Sequence, residues 1–133
     1  MPLVDFSDED LLRGKIVTPA WYRMRIKEIN EALSKDQKST NWLTEGIIVR
    51  NADDGSEEFA NVPIVWNFNS KARGFLVGFL SALGITVEAG KRYDLSKLAG
   101  MELDVFVENE LYENRMVNRV NHKYRAVQEQ QGT

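Results

Sequence analysis

Polar and apolar residues alternate strictly from Trp21 to Lys27, with Tyr22, Met24 and Ile26 on one face and Trp21, Arg23, Arg25 and Lys27 on the other. That period of two predicts a half-buried strand. Residues 30–41 are polar and turn-rich and predict a long mobile connection with Lys35 and Lys38 near its tip. A second strand is expected over 42–51 and a third over 58–68. The Asp54-Gly55 pair between them suits a tight turn, and Pro63 marks an edge or a bulge.

The period then lengthens. Ser70 is placed to cap a helix of about 13 residues in which Phe75, Leu76, Phe79, Leu80 and Leu83 recur at helical spacing before Gly84 closes it. Phe75 and Phe79 are expected in the core. A short turn follows from Asp94 through Leu95 and Leu98 to Gly100. Leu103, Val105 and Val107 alternate with Glu102, Asp104 and Glu108 in a fourth strand, and residues 109–114 connect it to a last strand over 115–124. There Arg115, Val117, Arg119, Asn121 and Lys123 share a face unless a bulge intervenes. Three strands, a helix and two strands give a mainly β expectation, a five-stranded OB-fold Greek-key barrel with its helix between strands three and four.

At 133 residues and 43% hydrophobic side chains, the chain has the size and composition of one folded domain. Residues 1–15 are expected as an acidic N-terminal segment, 16–127 as the barrel and 128–133 as a polar tail. With no cysteine, disulfides, thiolate metal sites and a cysteine nucleophile are excluded. Neither a signal peptide nor an apolar run of about 18 residues is visible, so the cytoplasm is the expected compartment.

A formal net charge of −3 argues against a generic polyanion binder, but the charge is patterned. Asp5, Asp8, Glu9 and Asp10 precede any cation. Residues 13–38 are then strongly basic, 39–60 acidic, and 114–125 carry Arg115, Arg119, Lys123 and Arg125 with no acid.

Catalytic signatures are sparse. The single histidine, His122, falls in the last predicted strand with no cysteine or nearby serine to partner it. Gly74, Gly78 and Gly84 belong to the helix rather than to a phosphate-cradling loop, and Asp53, Asp54, Glu57 and Glu58 lack EF-hand spacing. No enzymatic activity, metal or cofactor is expected.

The Trp21, Arg23, Arg25, Lys27 stripe is more informative, because an aromatic among cations lets a base stack while phosphates meet positive charge. In a closed barrel the last strand would add Arg115, Arg119 and Lys123 to the same groove. Trp42 and Tyr112 sit at the connections that flank the binding face of OB-folds. Trp66 shares a face with Ile64 and Phe68 and fits either core or platform.

Several features together resemble a family of small phage-encoded OB-fold single-stranded-DNA-binding proteins from replication and recombination modules. They are Pro19, Tyr22 and Ile26 entering the first strand, the run Phe79-Leu80-Ser81-Ala82-Leu83-Gly84, Asp94-Leu95 with Leu98-Ala99-Gly100, and the closing Tyr112, Asn114, Arg115, Asn118, Val120, Tyr124 pattern. The likeness covers about residues 16–125. Many single-stranded-DNA-binding proteins recruit partners through an acidic C-terminal tail; here the acids stand at Asp5 to Asp10. The resemblance implies sequence-tolerant binding of single-stranded DNA in the host cell cytoplasm, with replication or recombination proteins as further partners. Two alternatives remain open: an OB-like protein-interaction module that docks through Phe6, Leu11 and Leu12, and an accessory subunit of a replication or nuclease complex.

Overall fold

The computed structural model describes residues 2–127; the predicted polar tail, 128–133, lies outside the described residues. Five antiparallel strands form one sheet, β1 (Ala20–Leu33), β2 (Thr40–Asn51), β3 (Pro63–Asn69), β4 (Glu102–Tyr112) and β5 (Arg115–Arg125). Their order is β3-β2-β1-β4-β5, which leaves β3 and β5 as edges. A short helix α1 (Asp8–Arg13) precedes the sheet, and α2 (Arg73–Ala82) lies between β3 and β4. No helix among the described residues is long and apolar enough to cross a membrane.

The alternation in β1 sorts as its sequence predicts. Tyr22, Met24 and Ile26 are buried, whereas Trp21, Arg23, Arg25 and Lys27 face outward. Ile64, Trp66 and Phe68 of β3, Leu103, Val105 and Val107 of β4 and Phe79 and Leu80 of α2 join them in the core, with Val17, Ile48, Val62, Leu98 and Val120. Each fully buried side chain of this kind contributes about 1.5–3 kcal/mol. The edges meet through rings rather than a ladder: Phe68 lies 5.2 Å from His122 and Trp66 lies 6.5 Å from Tyr124, with Phe79 of α2 plugging the gap 5.0 Å from Phe68. Gly46 makes this packing feasible, since a Cβ there would stand 2.5 Å from Met24 Cγ and 3.2 Å from the Trp66 ring.

Several expectations are corrected. Residues 30–41 are no mobile connection: β1 and β2 pair out to Leu33 opposite Thr40, leaving a six-residue turn tied by Ser34 N–H to Ser39 O at 2.9 Å. This arm extends past the core, so its side chains need not alternate while its backbone still pairs. The third strand starts at Pro63, because a turn with Asn61 at φ 71° occupies the preceding residues. Asn69, not Ser70, caps the helical segment, accepting from Lys71 N–H, and Ser70 Oγ instead accepts from Thr40 N–H at 2.9 Å. The 109–114 connection shrinks to Glu113 and Asn114, at φ 48° and 65°, the paired positive values of a two-residue hairpin. Phe75 is 51% exposed rather than core, stacked 4.4 Å from His122 on the outside of the seam. The short turn Leu95–Leu98, capped by Asp94, forms where expected.

Candidate nucleic-acid interface

The outward stripe of β1 meets the outward residues of β4 and β5. Trp21 pairs with Phe106 across the ladder, and their rings stand edge to face at 5.5 Å. Arg125 lies over the Trp21 ring at 4.4 Å and Lys123 over Phe106 at 5.3 Å. Cations above aromatic faces in this way gain about 0.5–1 kcal/mol at exposed sites. Arg23 follows Trp21 on the same face of β1 directly opposite Arg50 of β2, and Arg25 lies further along that face, opposite Glu102.

Carboxylates thread the same face. Arg23 Nε donates to buried Asp104 at 2.8 Å, and Arg125 reaches both Asp104 at 3.3 Å and Asp53 at 2.6 Å. Lys123 meets Glu108 at 3.4 Å and Arg119 meets Glu110 at 3.3 Å. Arg25 and Arg50 form no ion pair among the described residues. The pairs differ in strength. Arg23–Asp104 is largely buried and fixed, whereas Asp53 and Glu110 are exposed, and an exposed pair contributes only about 0–1 kcal/mol.

Other expected site residues fall elsewhere. Lys27 is a bulge residue whose Nζ lies 3.0 Å from Glu45 and 3.9 Å from Glu9. Burial pushes the Glu45 carboxyl up, but hydrogen bonds from Lys27 and Arg13 outweigh it and hold the group below the usual carboxylate range. Trp66 is core, 5% exposed. Trp42 is half-buried on the inward face opposite Phe68, its Nε1 donating to Glu31 at 3.0 Å, so it is no exposed platform beside Trp21. Lys35 and Lys38 sit in the turn beyond Leu33, whereas Tyr112 and Arg115 flank the β4–β5 turn beyond Ala20, at the other end of β1. The outward face of β2 and β3 around Asn41, Leu43, Val65 and Asn67 carries neither an aromatic nor a cation.

Two members of the face escape a reading by sequence alone. Arg50 lies in an acidic stretch, and Phe106 looks like one more core residue of a valine-rich strand, whereas Arg125 belongs to the basic segment that the sequence shows. The available signal was parity, because Phe106 falls in phase with Asp104 and Glu108. Compared with models of known protein families and with curated proteins, the chain finds no significant match.

Proposed function

We propose that this protein binds single-stranded DNA with little sequence preference, as a non-enzymatic OB-type module serving replication or recombination. Strand order, the position of α2 between β3 and β4 and the ring contacts between the edge strands support the OB-type Greek-key reading. The observation that carries the function is the Trp21–Phe106 pair roofed by Arg125 and Lys123 on an exposed sheet face. Bases stack on Trp21, and phosphates replace Glu110 at Arg119, Glu108 at Lys123 and Asp53 at Arg125 and meet Arg25 and Arg50 directly. Arg23 stays with buried Asp104 and holds the face in shape.

Titration with a fluorescent oligonucleotide at two salt concentrations tests this. Five phosphate contacts predict that log K falls against log salt with a slope of about −3.5, from roughly 0.7 ions released per contact. Measurable affinity with no salt dependence rejects the interface. A second reading, a protein-docking module, is favoured by Leu3, Val4, Phe6 and Leu11, which stand uncovered on the N-terminal segment. Loss of a copurifying protein on deletion of residues 1–10, with oligonucleotide affinity unchanged, selects it.

A further inference from the structure

Two uncovered apolar surfaces on one chain complement each other. The first is a groove of about 650 Å³ between α2, the β1–β2 arm and residues 87–96. Its apolar lining includes Ile29, Trp42, Leu76 and Leu80; of its charged residues Glu31 accepts from Trp42, Asp94 accepts from Ser96 and Lys91 pairs with Glu88, whereas Arg73 and Arg92 form no ion pair among the described residues. The size falls within the roughly 300–1,000 Å³ of sites that enclose a small ligand or a few side chains.

The second surface is the N-terminal segment. A reciprocal cap fixes the start of α1, with Ser7 Oγ accepting from Asp10 N–H at 3.1 Å and Asp10 Oδ2 accepting from Ser7 N–H at 3.0 Å. The far end is anchored by half-buried Leu12 and by Arg13, which reaches Glu45 at 3.2 Å. Leu3 is 90% and Phe6 69% exposed, interleaved with Asp5, Asp8 and Glu9. The segment is apolar and acidic; the groove is apolar, and its two unpaired charges, Arg73 and Arg92, are both cations. In its own chain the segment is tethered at Glu45 on the outward side of β2, and no residue of 2–13 lines the groove.

We infer that the groove of one molecule takes the N-terminal segment of a second copy, with Leu3 and Phe6 on the apolar floor and the acids against Arg73 and Arg92. The contact joins different surfaces of the two chains, so it is heterologous, and copies add head to tail. This goes beyond DNA binding and needs no nucleic acid.

Sedimentation of the full chain without DNA tests it. The expected result is a mass that rises with protein concentration. Phe6→Asp spoils the segment, and Val77→Asp spoils the groove at a position already 45% exposed, where the fold tolerates polarity. Each substitution weakens self-association about tenfold or more. Mixing the two variants restores a single intact interface, giving a 1:1 dimer that grows no further. Wild-type protein that stays monomeric, self-association that survives both substitutions, or a mixture that fails to pair overturns the inference. Oligonucleotide affinity of the Val77→Asp chain, measured separately, keeps this outcome distinct from that of the DNA-binding reading.

Discussion

Inside the curl of the sheet, Trp66, Phe68, Phe79 and Tyr124 meet one another at centroid distances of 5.0 to 6.5 Å and close a seam that no ladder spans. Outside it, Trp21 and Phe106 form one pair under Arg125 and Lys123. The inner rings replace backbone hydrogen bonds between edge strands, so the fold depends on them. The outer rings rest on a ladder that β1 and β4 make without their help, so the sheet does not depend on them. An aromatic residue here thus closes the seam or stands on the outer face according to the side of the sheet it occupies, and it is the outer pair that the DNA-binding proposal uses.

The largest effect should come from breaking the inner cluster. Phe68→Ala removes a fully buried ring that touches β5 and α2 together, and a loss of about 3–5 kcal/mol is expected in urea unfolding. Oligonucleotide affinity per folded molecule should not change. A smaller loss of stability accompanied by a large loss of affinity would place the binding surface at the seam instead.

Next in size is the outer cluster. Trp21→Ala should weaken binding of a single-stranded oligonucleotide by about 1–3 kcal/mol and lower stability by little more than the roughly 0.5–1.5 kcal/mol of one aromatic pair. Trp42→Ala is the control, because Trp42 faces the groove beside α2 and should leave DNA affinity intact. Equal losses from both variants would show that the binding path runs around the sheet edge rather than along β1.

The contrast between faces was partly legible in the sequence. Tyr22, Met24 and Ile26 against Trp21, Arg23 and Arg25 declare their sides by parity alone, because one face of β1 is buried along the core. The length of the β1–β2 arm was hidden, since residues 30–38 lie beyond the core and no burial imposes a pattern on them. Trp42 misled for a related reason: the groove it lines is completed by Leu76 and Leu80, from a helix more than 30 residues away. Nor does any local pattern reveal that Asp104 holds both Arg23 and Arg125, an arrangement that only strand pairing creates.

His122 sits between the two regions, with its ring on Phe75 and Phe68 and a backbone φ of 57°. Burial, and then the nearby Arg119, pull its pKa below the usual 6.5. The sign follows from proton uptake. As pH falls through about 6.5 the unfolded chain binds a proton that the folded chain resists, so stability drops on the acid side and is unaffected by this group well above pH 7. His122→Asn, whose new side chain tolerates the left-handed backbone, should flatten the decline between about pH 7 and pH 5 in urea unfolding. An unchanged decline would assign the acid sensitivity to the carboxylates.

The smallest effect concerns the acids that precede the sheet. Glu9 stands 3.9 Å from Lys27 at the margin of the outer face, both side chains largely exposed. Asp5 and Asp8 add negative charge nearby in sequence without touching any cation within ion-pair distance. If the outer face binds DNA as proposed, such charges act on it through the field more than through contact, and that field reaches about 30 Å at 0.01 M salt but only about 8 Å at 0.15 M. Neutralising Asp5, Asp8 and Glu9 with Asn, Asn and Gln preserves the Ser7–Asp10 cap and so the start of α1. Placed in the Val77→Asp chain, where self-association no longer competes, the triple substitution should raise oligonucleotide affinity by less than about fivefold at low salt, the range of an exposed ion pair. The gain should vanish at physiological salt. A gain that persists there would mean that the segment covers the binding face by contact, and no gain at either salt would mean that the acids serve only the groove of a neighbouring copy.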